Sequence, residues 1–369
     1  MRIAYLNTYI QTNHTGGGKA HISQFANNAT ALGHEIWSYP GSNHPDVQII
    51  PTDRISHIKT MRQMDALYIR IERKSPGLCT WSLPPRRLLY GFPIVVWEFN
   101  TLPDEAQDND KINNDTVRRS SIFRGYSRGC DLAICVSQAL ADIVQDKFTF
   151  KRILVVPNGS DPELFRPDVL IAKRLLPFQD KFNVVWIGTG REPWHDIDLL
   201  CKAAWIVFNN DKGQNINFHI IGSEINGVMA ETPPNIYYWG AEYYDRLPNW
   251  LVGMQVGLHL YRPGPSDYNS PLKIFDYMAS GLTVVGTQHP VINELADKLE
   301  QTDLIVQPGN SRMLAEVLIK LASDRERVQY LGYAGRDLVI KYYNWRRAVQ
   351  DTMNEMEAIL KKKGRVPKA

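Results

Sequence analysis

The stretch Ser270-Pro271-Leu272-Lys273-Ile274-Phe275-Asp276 puts a lysine where an isolated helix would not favour one. A polar run over 265–270 leads into Pro271, a residue suited to the start of a helix. Leu272, Phe275, Met278 and Ala279 then recur at helical spacing and predict one buried face. Free N–H groups near Ser270, Pro271 and Leu272 (proline itself has none) give the helix start a partial positive charge, which opposes a cation in the first turn. An anionic ligand resolves the conflict, because the N–H groups and Lys273 would hold it together. Asp276, one turn on, is placed to accept a hydrogen bond from a ribose hydroxyl. Gly281 closes the segment and an apolar strand candidate follows at Leu282 to Val285.

Two glycine-rich turns suit the same chemistry. Thr15-Gly16-Gly17-Gly18-Lys19 lies between a strand candidate and its helix, where glycines let the backbone approach a phosphate closely. It is not a P-loop, since Ala20 follows Lys19, nor a G-x-G-x-x-G turn, since His21 stands where the third glycine would be. Ile187-Gly188-Thr189-Gly190-Arg191 also follows a strand candidate, but Pro193 occupies the third glycine position, which argues against a nicotinamide dinucleotide. Arg191 is placed to meet a diphosphate and His195 to add a second donor. As structure alone, the same residues would be a flexible turn, a surface arginine, a satisfied histidine and an ordinary amphipathic helix.

The elements that must position these groups alternate along the chain. Strand candidates run from Ile3 to Leu6, Glu35 to Tyr39, Val47 to Ile50, Ala66 to Ile71, Pro93 to Phe99, Leu132 to Val136 and Ile153 to Val156. A second series covers Asn183 to Ile187, Asn217 to Ile221, Ile236 to Trp239, Val256 to Tyr261, Leu282 to Val285 and Leu304 to Val306. Their near-continuous apolarity suits parallel strands covered on both faces, and helical runs between them predict an α/β, doubly wound architecture. The turn-rich stretch Pro157-Asn158-Gly159-Ser160-Asp161-Pro162 precedes the restart at Phe182. We therefore expect two Rossmann-like domains, 1–170 and 171–345, joined near 160–180. The C-terminal part reads as helical over Met313 to Leu321, Val328 to Tyr342 and Trp345 to Leu360.

Composition narrows the function classes. The 369 residues carry a net charge of +3, with 44% hydrophobic and 22% charged residues, so nucleic acid is not the expected main partner. Cys79, Cys130, Cys135 and Cys201 form no CxxC pair, so neither a zinc site nor a disulfide framework is expected. No secretory signal and no run of membrane-span length is visible, which predicts a cytoplasmic protein. Basic clusters such as Arg70, Arg73, Lys74, Arg86, Arg87 and Arg118, Arg119, Arg124, Arg128 read as solvated surface, or as a face meeting the inner side of a membrane or a phosphate-bearing acceptor.

In these residues the chain resembles the retaining GT-B glycosyltransferases of glycosyltransferase family 4, the group 1 glycosyl transferases. Gly16-Gly17-Gly18 with Leu32-Gly33-His34-Glu35-Ile36 is similar to the family's opening loop and its "L-G-H-E-V" stretch. Cys135-Val136-Ser137, Val155-Val156-Pro157-Asn158-Gly159-Ser160-Asp161, Phe165 and Pro167 resemble "V-S … V-x-P-N-G-V-D … F-x-P". Pro271-Leu272-Lys273 with Asp276-Tyr277-Met278-Ala279-Ser280-Gly281 resembles "P-x-K-x-x-E-Y-M-A-x-G", and Asn344-Trp345 the "F-S-W" before the last helix. The resemblance covers nearly the whole chain in order.

It implies two facing Rossmann-like domains with an interdomain cleft, the donor on the second domain and the acceptor on the first, with a final helix of about 346–363 crossing back onto the first. It also implies that Asp276 holds the ribose and that Arg191, Lys273 and backbone near Ser270, Pro271 and Leu272 hold the diphosphate, while Gly17 and Gly18 close from the other side. Glu98 falls near the family's cleft histidine and is expected to touch sugar; Glu98, Arg191 and Lys273 are the expected catalytic set. The expected reaction moves a sugar from a nucleotide-sugar, as substrate, to a sugar, lipid-linked or other hydroxyl acceptor, with retention and without a metal or other cofactor. Two positions depart from the pattern. The Glu-x7-Glu pair reads Tyr268 and Asp276, and His195 replaces the lysine after Arg191. Members with a "P-x-K" loop often lack the first glutamate, so its absence is not read as inactivation. A nucleotide-sugar epimerase and a catalytically silent binding subunit remain open alternatives, and oligomeric state is unassigned.

Overall fold

The computed structural model describes residues 1–6, 10–11, 17–71, 82–102, 123–190, 192, 194–222, 232–264 and 267–367. Each strand candidate of the sequence falls in a strand, and these pair into two all-parallel sheets. The first holds β1 (Arg2–Leu6), β2 (Glu35–Ser38), β3 (Val47–Ile49), β4 (Ala66–Ile71), β5 (Ile94–Phe99), β6 (Leu132–Cys135) and β7 (Ile153–Val155), in the order β3-β2-β1-β4-β5-β6-β7. The second holds β8 (Phe182–Gly188), β9 (Ile216–Gly222), β10 (Ile236–Tyr238), β11 (Val256–His259), β12 (Thr283–Thr287) and β13 (Ile305–Val306), in the order β10-β9-β8-β11-β12-β13. Every residue of β4 and β5 is buried, as strands covered by helices on both faces require.

In each sheet the chain winds outward from its first strand, then returns to the other side of it. The order therefore reverses between β1 and β4 and between β8 and β11, and ligands of such sheets bind beyond the carboxyl ends of the strands at that reversal. Register fixes which residues meet there: Val184 pairs with Val256, so Gly188 of β8 and His259 of β11 end at neighbouring strand tips.

The first-domain helices are α1 (Gly17–Ala31), α2 (Arg54–Met61), α3 (Pro84–Leu89) and α4 (Gln138–Lys147); the second domain carries α5 (Ile197–Phe208), α6 (Leu247–Leu251), α7 (Leu272–Ala279), α8 (Pro290–Leu299), α9 (Ser311–Ala322) and α10 (Arg325–Tyr342). The sequence predicts one buried stripe on α7, but Ile274 through Ala279 are all buried, because strands, α10 and the segment 160–178 enclose the helix on every side. Gly281, at φ +81°, ends it.

The last helix, α11 (Trp345–Lys362), leaves the second domain and packs on the first. Val349, Met353, Met356 and Ile359 join the cluster of Ile3, Tyr5, Phe25 and Tyr68 under the first sheet. The crossing is tied at Ser160, whose N–H donates to Tyr343 O (3.0 Å) and whose carbonyl accepts from Trp345 N (3.1 Å). Gly159 is required there, since a Cβ would stand 2.7 Å from Tyr343 O.

Candidate functional site

The N-terminal end of α7 sits at the reversal of the second sheet. Pro271 caps the helix without a side-chain hydrogen bond, so the first-turn N–H groups of Leu272 and Lys273 keep their donors for a ligand. The loop before it is pinned from the other domain. Asn158 donates its N–H to Ser270 Oγ (3.1 Å) and its Nδ2 to Ser270 O (2.6 Å).

Lys273 turns its ammonium into the strand tips. Its Nζ is buried and has no hydrogen-bond partner among the described residues. It lies 4.5 Å from the ring centre of Trp186 on β8 and 5.7 Å from that of Tyr261 beyond β11. Aromatic faces soften the loss of water without replacing its hydrogen bonds. Burial accordingly lowers the lysine's pKa to about 7. His195 stands edge-on to Trp186 (5.1 Å) and Tyr261 (5.5 Å), and burial, then the charge of Lys273, hold it well below the usual histidine range. His259 and His289 complete the group, 5.2 Å apart, both lowered chiefly by burial. With the three imidazoles neutral, Lys273 is the cation of this group among the described residues, charged below its pKa of about 7.

Asp276 faces the other way, toward the linker. Its Oδ1 accepts from Ser160 Oγ (2.6 Å) and Tyr244 OH (3.1 Å). Burial pushes its pKa up to about 7 against the pull of those two bonds. A ribose hydroxyl would share this acceptor with Ser160 and Tyr244.

On the opposite wall, Gly17 and Gly18 open α1 and are exposed. A Cβ on Gly17 would stand 2.8 Å from Leu272 Cδ1, whereas one on Gly18 would meet nothing. The starts of α1 and α7 thus face each other across the cleft, one of them at contact distance. Four residues further along α1, His21 places Nε2 2.8 Å from Glu98 Oε1 and Nδ1 2.9 Å from Asn158 Oδ1. The bond from Asn158 Nδ2 to Ser270 O fixes the amide orientation, so both ring nitrogens of His21 face acceptor oxygens.

Glu98, at the end of β5, is 1% exposed. Oε1 accepts from Arg70 Nη1 (2.9 Å), His21 and Asn100, and Oε2 from Tyr5 OH (3.2 Å). Burial alone would raise its pKa; His21 and Arg70 outweigh that and hold it below the usual carboxylate range. The carboxylate is thus enclosed, and its route to the cleft runs through His21, Asn158 and Ser270. Arg70, grouped by the sequence with surface basic residues, is instead buried against Glu98, because its strand is covered on both faces.

Tyr268, in place of the expected acid, turns into the first domain. Its ring joins the apolar cluster around Leu102, Val136 and Leu140, its hydroxyl accepts from Leu102 N (3.2 Å), and its carbonyl accepts from Ser137 Oγ (2.5 Å).

The structure therefore brings Lys273 together with His195, sets Gly17 against Leu272, and links Glu98 to Ser270 through two intermediates. Arg191 lies outside the described residues. Sequence reading missed His21, Trp186, Tyr261, His259 and His289 as members of the site. Four of these lie at or just past strand ends, or in the first turns after them, which is the one signal that would have found them. Among the described residues, no group of three or more His, Cys, Asp or Glu could hold a metal ion, and no helix is long and apolar enough to cross a membrane.

Comparison with known proteins agrees with the fold. Residues 181–324, the core of the second domain, match the family model of glycosyl transferases group 1. A Bacillus subtilis (strain 168) protein, TuaH, named as a teichuronic acid biosynthesis glycosyltransferase, is 25% identical over 237 residues, covering 59% of this chain and 57% of its own length. The chain thus matches little more than half the length of that relative. Among solved structures, the sucrose-phosphate synthase of Thermosynechococcus elongatus superimposes with a TM-score of 0.71 at 13% identity, covering 98% of this chain and 99% of that one. Anabaena HepE, solved with UDP and glucose, gives 0.68 at 14% identity over 97% and 100% of the two chains. WaaG, a glycosyltransferase involved in lipopolysaccharide biosynthesis, gives 0.64 at 11% over 97% and 99%. The chain has the GT-B fold, and its second domain carries the group 1 glycosyl transferase pattern.

Proposed function

We propose that the protein transfers a sugar from a nucleoside-diphosphate sugar to an acceptor hydroxyl. The observation that carries this reading is Lys273: a buried ammonium without a hydrogen-bond partner among the described residues, at a helix start, where the strand order reverses. A diphosphate supplies what that arrangement lacks. The group 1 match over the same domain and the HepE structure with UDP and glucose make UDP-sugars the first donors to test.

In the proposed reaction the bond from the anomeric carbon to the diphosphate oxygen breaks, and the acceptor oxygen bonds to that carbon on the same face. The acceptor proton passes to the departing phosphate oxygen. Negative charge grows on the diphosphate as the bond breaks, and Lys273 with the N–H groups of Leu272 and Lys273 would stabilise it; removing one such donor typically costs about 100- to 1,000-fold in rate. Fixed cations would take the part that a metal ion plays elsewhere. Gly17 and Gly18 would bring the first domain over the donor and exclude water.

The test is a screen of UDP, GDP, ADP and their sugars in the presence of EDTA, reading thermal stabilisation and release of nucleoside diphosphate, with the anomeric configuration of product read by NMR. Binding and turnover lost in Lys273→Ala support the proposal. Binding without release against a broad acceptor panel would instead mark a silent binding subunit, conversion of the donor sugar without acceptor an epimerase, and an absence of nucleotide binding would sink the assignment.

A further inference from the structure

One flank of the first domain combines charge and exposed apolar side chains in a way the donor site does not explain. It is assembled from three separate segments. Residues 54–62, 84–92 and 361–366 contain three, two and four Lys or Arg, and no Asp or Glu. The structure joins them. Arg62 Nε donates to Leu89 O (2.9 Å), the His57 ring stands edge-on to Tyr90 (6.1 Å), and Arg365 donates to Gly91 O (2.7 Å) and to Phe92 O. Two acids beside these segments are already engaged. Asp53 caps α2 through Ser56 N, and Asp131, buried, takes both Arg87 and Lys363.

Large apolar side chains stand out of this basic field. Val366 is 86% exposed, Ile55 80%, Leu88 64% and Phe92 44%. Phe92 is held in a costly way for an exposed ring. Its φ is +59°, a conformation bulky residues rarely adopt, and the turn ending α3 fixes it by a bond from Phe92 N to Arg87 O (2.7 Å). No residue of α3, Pro84–Leu89, is buried, and Arg87 ties the helix to the domain through Gly129 O (2.9 Å), Pro93 O (3.1 Å) and Asp131 (2.8 Å).

We infer that this flank docks the protein on an anionic lipid bilayer. Basic side chains around projecting aliphatic and aromatic tips match a surface that is negative outside and apolar just beneath. A second copy of the chain is the wrong partner, since two such faces would repel. A nucleic acid would use the charge and leave Leu88 and Val366 in water. The Gly91–Phe92 turn and the Arg62 end of α2 lead into the beginnings of β5 and β4, whereas the candidate site lies beyond the strands' carboxyl ends. Docking therefore leaves the cleft open to a soluble donor. The inference does not depend on the proposed transferase activity.

The test is co-sedimentation of the full chain with vesicles of phosphatidylcholine alone and with one-third phosphatidylglycerol, at low and high salt. We expect binding to the anionic vesicles, weakened by salt, and at least about tenfold less to the neutral ones. Lys361→Glu with Lys362→Glu should reduce binding by about tenfold or more, and Leu88→Glu with Val366→Glu should do so by removing the inserted tips. All four positions are exposed, so melting transitions should not move; Tyr330→Glu, at an exposed site elsewhere, should leave binding unchanged. Equal binding to both vesicle types, binding indifferent to these variants, a dimer dissolved by Leu88→Glu, or retention on an oligonucleotide without vesicle binding would each overturn the inference.

Discussion

Replacing Lys273 by methionine should stabilise the empty protein while removing its response to nucleotide. The side chain keeps a four-atom unbranched stem and loses the buried ammonium. Burial lowers the lysine from 10.5 to about 7. At about 1.4 kcal/mol per unit, that bounds the penalty at about 5 kcal/mol; relaxation and water entry reduce it, and we work with about 2 kcal/mol. For a domain of this size, roughly 2–4 °C per kcal/mol turns that into a gain of about 4–8 °C. The pH dependence gives the prediction its sign. Between about 7 and 10.5 the unfolded chain holds a proton on this lysine that the folded chain has released, so wild-type stability rises with pH across that window. The advantage of Lys273→Met should therefore be full below pH 7 and vanish toward pH 10.

The assay is thermal melting across that pH range with and without UDP. With UDP bound the wild-type ammonium meets a diphosphate, the penalty disappears, and the order of the two proteins should reverse. At a hundredfold excess over Kd the wild type should gain about 2.7 kcal/mol that the variant does not. A variant that melts below wild type at pH 6, or that keeps the full UDP shift, would refute the reasoning, because Lys273 would then be partnered in the empty protein or remote from the diphosphate.

Asp276→Asn should show the opposite pH trend: burial raises this carboxyl from 3.8 to about 7, so its penalty is absent at pH 4 and full above 7, and the variant should melt a few degrees above wild type only at the alkaline end while binding UDP about tenfold more weakly. Gly17→Ala pushes a methyl against Leu272 and should lower kcat/KM about tenfold or more with little change in melting, whereas Gly18→Ala, whose methyl meets nothing, should act like wild type in the same assay. Glu98→Gln strands Arg70 and His21 in a buried site and should cost about 3–5 kcal/mol in urea denaturation.

The fold was legible because each buried strand is a short apolar run that nothing but a two-faced parallel sheet can satisfy. The start of α7 could be singled out as a candidate anion site because Lys273 violates the dipole preference of a helix start, a conflict visible without coordinates. His21 was not. Its position on α1 says only that it faces inward; its meaning comes from Glu98, 77 residues later, and from Asn158, 137 residues away. Such a chain of bonds is set by which strand tips become neighbours, and composition carries no trace of that. The aromatic lining by Trp186 and Tyr261 escaped for the same reason, since strand ends are read first as core. Arg70 was misplaced because a charged residue in an apolar strand was taken as surface, when the strand has no surface to offer.

Tyr268 shows how one substitution can move a position from ligand chemistry to domain geometry. In the resembled pattern an acid stands here, at the mouth of the donor site. Here the residue's ring enters the core of the other domain, and its hydroxyl satisfies the buried Leu102 N–H. A glutamate could not take that place, since its charge would be buried among Leu102, Val136 and Leu140. The contact instead ties the loop before α7 to the first domain, alongside Ser137 and Asn158. Tyr268→Phe leaves the ring and removes the hydroxyl that accepts from Leu102 N, which should cost about 1–3 kcal/mol for the orphaned N–H. If the tie holds the domains together, the same variant should widen the molecule in small-angle scattering and weaken donor binding, because Leu272 and Gly17 would separate. A loss of stability with unchanged dimensions and unchanged donor binding would instead show that the bond serves the first domain's core alone.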